Sequence, residues 1–335
     1  MRVGICGFPG SGKSTVFAAL SPGARAGGDV SFGNIKVPDT RVDRLAAIFH
    51  PKKTTYAEIN FVDVAGGGRA GGAFPPDVVQ AMRNVDVIAH VVRAFDNPAL
   101  DRAPDPARDV TAFEEELVLT DHGVLEKVAS RWRKEVKKGP EVDLVARCLA
   151  CLEDGRALRT LEIGEEDRKH LTAVQLLSLR PLVTLYNIAE DAWADSPLRQ
   201  AGAGAFALCG PLEAEIAQMP PEEQGEFLQG MGLGEPARNG FIRTAYTLLD
   251  LIAMLTAGED ECRAWPVRRG SNARKAAGRI HSDIERGFIR AEVYTVEDLE
   301  KHGTESALKT AGKLRVEGKE YVVQDGDVCH FRFNV

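Results

Sequence analysis

The 335-residue sequence has no run of twenty apolar residues, so no membrane-spanning helix and no membrane partner are expected. It leaves no room for a secretory leader, because an apolar strand begins within two residues of Met1. Six cysteines, at 6, 148, 151, 209, 262 and 329, are too scattered for the framework of a small disulfide-stapled domain. Cys148 and Cys151 share a helix face, but no further ligands stand at zinc spacing, and buried core thiols are the expectation. These absences point to a reduced, cytoplasmic protein. The formal net charge is −7, with 44% hydrophobic and 27% charged residues, ordinary values for a globular chain of two or three domains. No DNA partner is expected.

What is present starts at the N-terminus. The strand Val3-Gly4-Ile5-Cys6 runs into Gly7-Phe8-Pro9-Gly10-Ser11-Gly12-Lys13-Ser14-Thr15, followed by a helix-forming stretch to Leu20. This is a G-x-x-x-x-G-K-[ST] phosphate loop between a strand and a helix. Gly7, Pro9, Gly10, Ser11 and Gly12 shape a nest of inward N–H groups. Lys13 can reach the β- and γ-phosphates, Ser14 can ligate Mg²⁺, and Thr15 opens a helix whose positive end faces the phosphates. The loop predicts nucleotide binding without saying which nucleotide.

Residues 21–35 read as a Gly- and Ala-rich loop, and Arg41–Phe49 as a short amphipathic helix. Tyr56–Val62 reads as a strand ending at Asp63-Val64-Ala65-Gly66. An Asp at the carboxyl end of a strand after a phosphate loop suits a second Mg²⁺-linked carboxylate, and Gly66 can offer an N–H to the γ-phosphate. Gly66–Gly72 is Gly-rich, a helix starts near Pro75-Pro76-Asp77, and Asp86–Val92 reads as a buried parallel strand.

The spacing of Val110, Phe113, Leu117, Val124, Val128 and Trp132, then of Leu144 to Leu152, predicts an antiparallel helical hairpin inserted into an α/β domain. The cations Arg131, Arg133, Lys134, Lys137 and Lys138 between its helices read first as a solvated helix end, with RNA contact as the alternative. Strands follow at Pro181–Tyr186 and Ala205–Cys209. Their carboxyl ends, Asn187-Ile188-Ala189-Glu190 and Gly210-Pro211-Leu212-Glu213, are both placed to meet a base. Phe241 to Leu255 reads as one long apolar helix. Asp325-Gly326-Asp327 reads as a turn before a last strand, Val328–Phe333. Arg263–Arg290 carries eight Lys/Arg against Asp283 and Glu285, a local net of +6 that suits RNA or simple solubilisation equally.

These motifs resemble the Obg-like ATPase family, the YchF group of translation-factor-class P-loop proteins. The resemblance covers nearly the whole chain. It is strongest in Thr256-Ala257-Gly258, Arg263-Ala264-Trp265, Ala277-Gly278-Arg279-Ile280-His281, Gly287–Val293, and Gln324-Asp325-Gly326-Asp327 through Phe331-Arg332-Phe333-Asn334-Val335, which are similar to the family's terminal TGS domain. Val37-Pro38-Asp39, Pro51-Lys52-Lys53, Phe61–Gly66 and Leu158-Arg159-Thr160-Leu161 add to it. The resemblance implies an α/β protein. A mostly parallel P-loop G domain (1–97 and 177–255) would be interrupted by a helical insertion (98–176) and followed by a β-grasp-like TGS domain (256–335). It implies Mg²⁺, ATP preferred over GTP, and a ribosome or ribosomal RNA as partner. Asn187, Ile188 and Glu190 match the family's Asn-x-x-Glu variant of the guanine-reading Asn-Lys-x-Asp. The longer Glu190 does not hold an aspartate's paired geometry toward guanine.

Three departures from the family fall on the hydrolytic machinery. Gly10 stands where relatives have Asn, Gly27–Gly33 holds Ser31 but no switch threonine, and Gly67 replaces a hydrophobic residue. The expected function is an ATP-binding and ATP-hydrolysing switch on the translation machinery, using Lys13 and Gly66 with no evident general base, and therefore slow. The alternatives are a nucleotide-gated RNA- or ribosome-binding module holding ATP or ADP with little hydrolysis, and a GTPase.

Overall fold

The computed structural model describes residues 1–21, 25–27, 30–64, 72–200, 202, 204–231 and 233–334, with the backbone alone for 25–27, 30–32, 165 and 221. The chain divides into two compact units. One is Met1–Ile35 with Asn60–Ala245, and the other is Lys36–Ile59 with Tyr246–Val335.

Along the chain, β1 (Arg2–Cys6) precedes α1 (Lys13–Leu20), β2 (Arg25–Gly27), β3 (Val30–Lys36), α2 (Thr40–Phe49), β4 (Lys53–Thr55) and β5 (Glu58–Asp63). Next come α3 (Pro76–Arg83), β6 (Val87–Ala94), α4 (Pro106–Lys134), α5 (Pro140–Glu153) and α6 (Glu165–Thr172). β7 (Leu182–Ile188), β8 (Ala205–Leu208), α7 (Gly210–Ile216), α8 (Pro221–Gly230) and α9 (Ala237–Leu248) follow. The remainder is β9 (Leu251–Thr256), β10 (Glu261–Arg268), α10 (Ala273–Ala277), α11 (Ser282–Arg286), β11 (Phe288–Tyr294), α12 (Val296–His302), α13 (Glu305–Thr310), β12 (Arg315–Glu317) and β13 (Val328–Phe333).

The first unit is built on a sheet of order β2-β3-β5-β1-β6-β7-β8. The run β5-β1-β6-β7-β8 is parallel throughout. A parallel strand covered on both faces reads as a continuous apolar run, which is why β1 and β6 were legible. Parallel pairing also puts the carboxyl ends of β1, β5, β6, β7 and β8 on one edge, where a ligand site belongs.

The inserted hairpin is α4 and α5. Asp105 caps α4 by accepting from the Arg108 N–H at 3.1 Å, and Pro106 sits in the first turn. Near its start, α4 sends Phe113 and Leu117 into the core under the sheet, with Phe8, Phe74, Val78, Met82 and Ile88. Farther out, Leu125 packs with Leu144, Val145, Cys148 and Leu152 of α5. Cys148 and Cys151 are buried thiols of this core. Asp121 ties the hairpin to the chain entering β7. Its carboxylate accepts from the N–H of Leu177 at 2.8 Å, and from the N–H and Oγ of Ser178 at 2.7 and 2.6 Å.

The second unit holds a sheet of order β12-β11-β13-β9-β10-β4. One long helix from Phe241 to Leu255 does not form. α9 stops at Leu248, Asp250 takes a φ of +50°, and Leu251–Thr256 is β9. β9 lies inside the sheet, so Ala253 and Leu255 face one core while Ile252 and Met254 face the other. An apolar run buried on both faces carries no period that tells strand from helix. Lys36–Ile59, read from sequence as nucleotide domain, packs here. β4 pairs with β10 in parallel, and Val42 and Leu45 of α2 join Leu255, Tyr294, Leu299 and Leu308. Arg41 of α2 meets Asp325 at 2.9 Å, and Asp325 in turn accepts the Ala253 N–H at 2.8 Å.

Leu255 is fully buried at the centre of this arrangement. Leu255→Ala should lower the unfolding free energy by about 2–5 kcal/mol, measured by urea unfolding. A loss under about 1 kcal/mol would contradict β9 as a core strand.

Candidate nucleotide site

The turn between β1 and α1 holds the phosphate loop. Gly7 is buried, while Pro9, Gly10, Ser14 and Thr15 are exposed. Gly10 and Gly12 both have φ of +79°, a conformation glycine adopts without a Cβ penalty. At Gly12 space also excludes any side chain, since a Cβ would stand 2.2 Å from Asn187 Nδ2. Ser11 Oγ is buried with no hydrogen-bond partner among the described residues, a cost that a bound anion or water can relieve.

Lys13 points across the loop to Asp63 at the end of β5, with Nζ 2.5 Å from Oδ1. Both side chains are mostly shielded, at 14% and 16% exposure. Of the two metal-site expectations, Ser14 follows Lys13 in the chain and Asp63 pairs with its ammonium. Among the described residues no three carboxylates, imidazoles or thiols gather to hold an ion by themselves. That donor set fits Mg²⁺, which keeps waters and takes one or two protein oxygens plus substrate phosphates. Gly66 and Gly67 lie outside the described residues, as do the side chain of Ser31 and part of Gly27–Gly33.

Asn187, at the end of β7, is buried and works as a clasp. Its Nδ2 donates to the Ser11 carbonyl at 3.1 Å, and its Oδ1 accepts the Gly210 N–H at 3.0 Å. Ile188 is buried beneath it, and Glu190 is exposed. The segment after β8 does not face a base with its carboxylate. Glu213 turns inward, is buried, and accepts the Ala237 N–H at 2.9 Å. Burial pushes its carboxyl pKa up to about 7, opposed by that hydrogen bond and by Arg238.

Several supporting residues carried no motif. Asn97, just beyond β6, donates to the Gly10 carbonyl at 3.2 Å, and the Phe95 ring borders Gly12. Their sequence signal was available, for they follow the carboxyl end of a parallel strand. His90 on β6 stacks on Phe113 at 3.8 Å and meets Phe8 of the loop edge-on at 5.9 Å. Neither ring nitrogen has a partner among the described residues, and burial drops its pKa to about 3, so a neutral imidazole serves as an aromatic plate under the loop.

The basic stretch Arg263–Arg290 is less bare than its sequence count. Acids outside the counted window meet three of its cations. Arg263 has Glu261 at 3.8 Å, Arg269 has Asp250 at 3.1 Å, and Arg290 has Glu292 at 3.5 Å.

A loop of this geometry on the edge of a parallel sheet, with Lys, Ser and a strand-end Asp around it, defines a P-loop nucleotide-binding protein of the G-domain class. Family models agree. Residues 2–127 match one described as 50S ribosome-binding GTPase, and residues 251–334 match YchF-GTPase_C, described as a protein of unknown function (DUF933). The chain is 38% identical over 364 residues to the ribosome-binding ATPase YchF of Bacillus subtilis, covering all of both chains. It is 37% identical over 360 residues to that of Haemophilus ducreyi, covering all of this chain and 99% of the relative. Among solved structures, the Schizosaccharomyces pombe YchF GTPase superposes with a TM-score of 0.85 at 29% identity, covering 99% of this chain and 97% of that one. The chain belongs to the YchF family.

Glu213 gives this site a pH signature. Below pH 4.5 its carboxyl is protonated in both folded and unfolded chains. Between pH 4.5 and 7 the unfolded chain releases the proton while the folded one keeps it, so stability falls as pH rises, by up to about 3 kcal/mol. Glu213→Gln keeps an acceptor for Ala237 and removes that decline. Unfolding free energies from pH 4.5 to 8 should diverge in the variant's favour, and parallel curves would refute the assignment.

Proposed function

We propose that this chain is a Mg²⁺-dependent ATPase that works as a nucleotide switch in association with the ribosome. The observation that supports it most is Lys13, held beside Asp63 at the mouth of a glycine-nested loop. ATP brings phosphates that compete with Asp63 for the ammonium. Lys13 then leaves the carboxylate for the β- and γ-phosphates, and Asp63 with Ser14 becomes free to face Mg²⁺. Ser14 and Asp63 would hold Mg²⁺, which would supply positive charge to neutralise the charge developing on the phosphates. Lys13 and the loop N–H groups do the same from the protein side, and this electrostatic positioning is the whole of the catalysis assigned to side chains here. Gly66 is proposed to add an N–H to the γ-phosphate.

The base reading favours ATP. Asn187 donates to the Ser11 carbonyl and accepts the Gly210 N–H, so it organises the loops around the base side of the site. Glu190 takes the place of the guanine-binding aspartate. The names of the relatives differ on this point, ATPase for the bacterial proteins and GTPase for the Schizosaccharomyces pombe one. Turnover is proposed to be slow, because Gly10, Gly67 and the threonine-free Gly27–Gly33 depart from the family where loops position water. In the second reading, a gated ribosome-binding module, the same departures leave binding without hydrolysis.

Steady-state turnover of the full chain with ATP and GTP, with and without ribosomes, separates these. ATP should be cleaved in preference to GTP, and Lys13→Ala should reduce the rate roughly 10²-fold or more. ATP turnover equal to that of Lys13→Ala, with nucleotide-dependent ribosome binding intact, would favour the gated module. GTP outcompeting ATP would favour the GTPase.

A further inference from the structure

The far end of the α4–α5 arm carries more positive charge than the fold pairs. Over 131–138, Arg131, Arg133, Lys134, Lys137 and Lys138 stand against Glu135 alone, a net of +4. Arg131 approaches Glu135 only to 4.0 Å, and Lys137 meets Glu141 at 2.5 Å. Arg133, Lys134 and Lys138 are exposed and have no carboxylate partner among the described residues. The dipole of α4 accounts for cations in its last turn. It does not account for Lys138, and Lys137 is held instead by Glu141 and the Trp132 ring. Both lysines lie past that helix end and just before Pro140, the start of α5, where a helix dipole disfavours positive charge.

The backbone of the same turn is strained. Val136 has a φ of +54° and is 74% exposed. A β-branched residue in the left-handed region is an outlier, and helix ends of this shape usually carry glycine. The Lys137 N–H returns to the Trp132 carbonyl at 3.0 Å, and Lys137 Nζ sits 4.1 Å above the Trp132 ring. The turn therefore fixes an apolar side chain outward among the cations. Leu117 is the last α4 residue in the core under the sheet, and Lys134 lies about 25 Å farther along the helix.

We propose that this tip is an RNA-docking surface, in which Arg131, Arg133, Lys134, Lys137 and Lys138 meet backbone phosphates and Val136 packs on a ribose or base. The partner follows from the charge. Exposed cations on a turn, three of them without a carboxylate partner among the described residues, fit a polyanion whose counterions they displace. The proposal rests on the ribosome reading above and names the surface that would serve it.

The test compares the full-length chain with Arg133→Glu/Lys134→Glu/Lys138→Glu in two assays, co-sedimentation with ribosomes and anisotropy with a labelled RNA hairpin across a KCl series. The variant should bind both roughly tenfold or more weakly, and its log K against log[KCl] slope should be shallower by about three. ATP binding should not change. A second variant, Val136→Gly, relaxes the backbone, so it should unfold at an equal or higher temperature yet bind RNA less well. Unaltered ribosome and RNA binding by the charge-reversed chain overturns the arm surface and leaves the ribosome reading standing. Loss of ribosome binding with hairpin affinity unaltered means an acidic protein partner and overturns the RNA assignment. Wild-type chain that binds the hairpin through these residues but never the ribosome refutes the ribosome reading instead.

Discussion

The Asn187 amide is the contact on which the nucleotide site depends. It joins loops that leave three different strands, because its Nδ2 holds the Ser11 carbonyl after β1 and its Oδ1 holds the Gly210 N–H after β8, while Asn187 itself ends β7. Both polar ends are satisfied inside the protein, where an unpaired amide costs about 1–3 kcal/mol. The clasp also dictates sequence at a distance. Its Nδ2 occupies the space of any Cβ at position 12, so Gly12 is required by a residue far away in the chain as well as by its own φ. The parallel pairing of β1, β6, β7 and β8 is what brings these loops to one edge.

That dependence explains what sequence could and could not reveal. Gly7–Thr15 was legible because its chemistry is local. Spacing alone specifies strand, nest and helix. The place of Asp63 at a strand end was legible too, and the structure sets it at the end of β5 beside Lys13. The burial of Glu213 was not legible. A Glu three residues past Gly210 looks solvent-facing until α9 packs beside it and presents the Ala237 N–H. His90 was silent for a similar reason, being defined by the Phe8 and Phe113 rings that enclose it, whereas Asn97 offered only its place after a parallel strand and is defined by the Gly10 carbonyl it reaches.

Charge showed the same limit with two opposite outcomes. In Arg263–Arg290 the linear excess shrinks because Glu261 and Glu292, two residues along the same strands as Arg263 and Arg290, and Asp250, just before β9, meet three of its cations. At the α4–α5 turn Glu141 of α5 meets Lys137, and an excess survives because Arg133, Lys134 and Lys138 have no carboxylate partner among the described residues. Sequence counting treats both stretches alike. Only topology tells a compensated surface from an uncompensated one.

The segment Lys36–Ile59 carries this reasoning to the scale of whole units. The chain leaves the first sheet after β3, contributes α2 and β4 to the other unit, and returns in β5, whose last residue is Asp63. The units are therefore linked by chain at 35–36, 59–60 and 245–246 rather than at a single linker. Val42 and Leu45 are fully buried, and their companions Leu255, Tyr294, Leu299 and Leu308 all lie beyond residue 250. A chain ending before β9 would strand those side chains in water, at about 1.5–3 kcal/mol for each large one. The phosphate-binding unit is thus not separable by one cut. The strand that presents Asp63 to Lys13 is anchored at its start by a segment whose core the C-terminal residues complete.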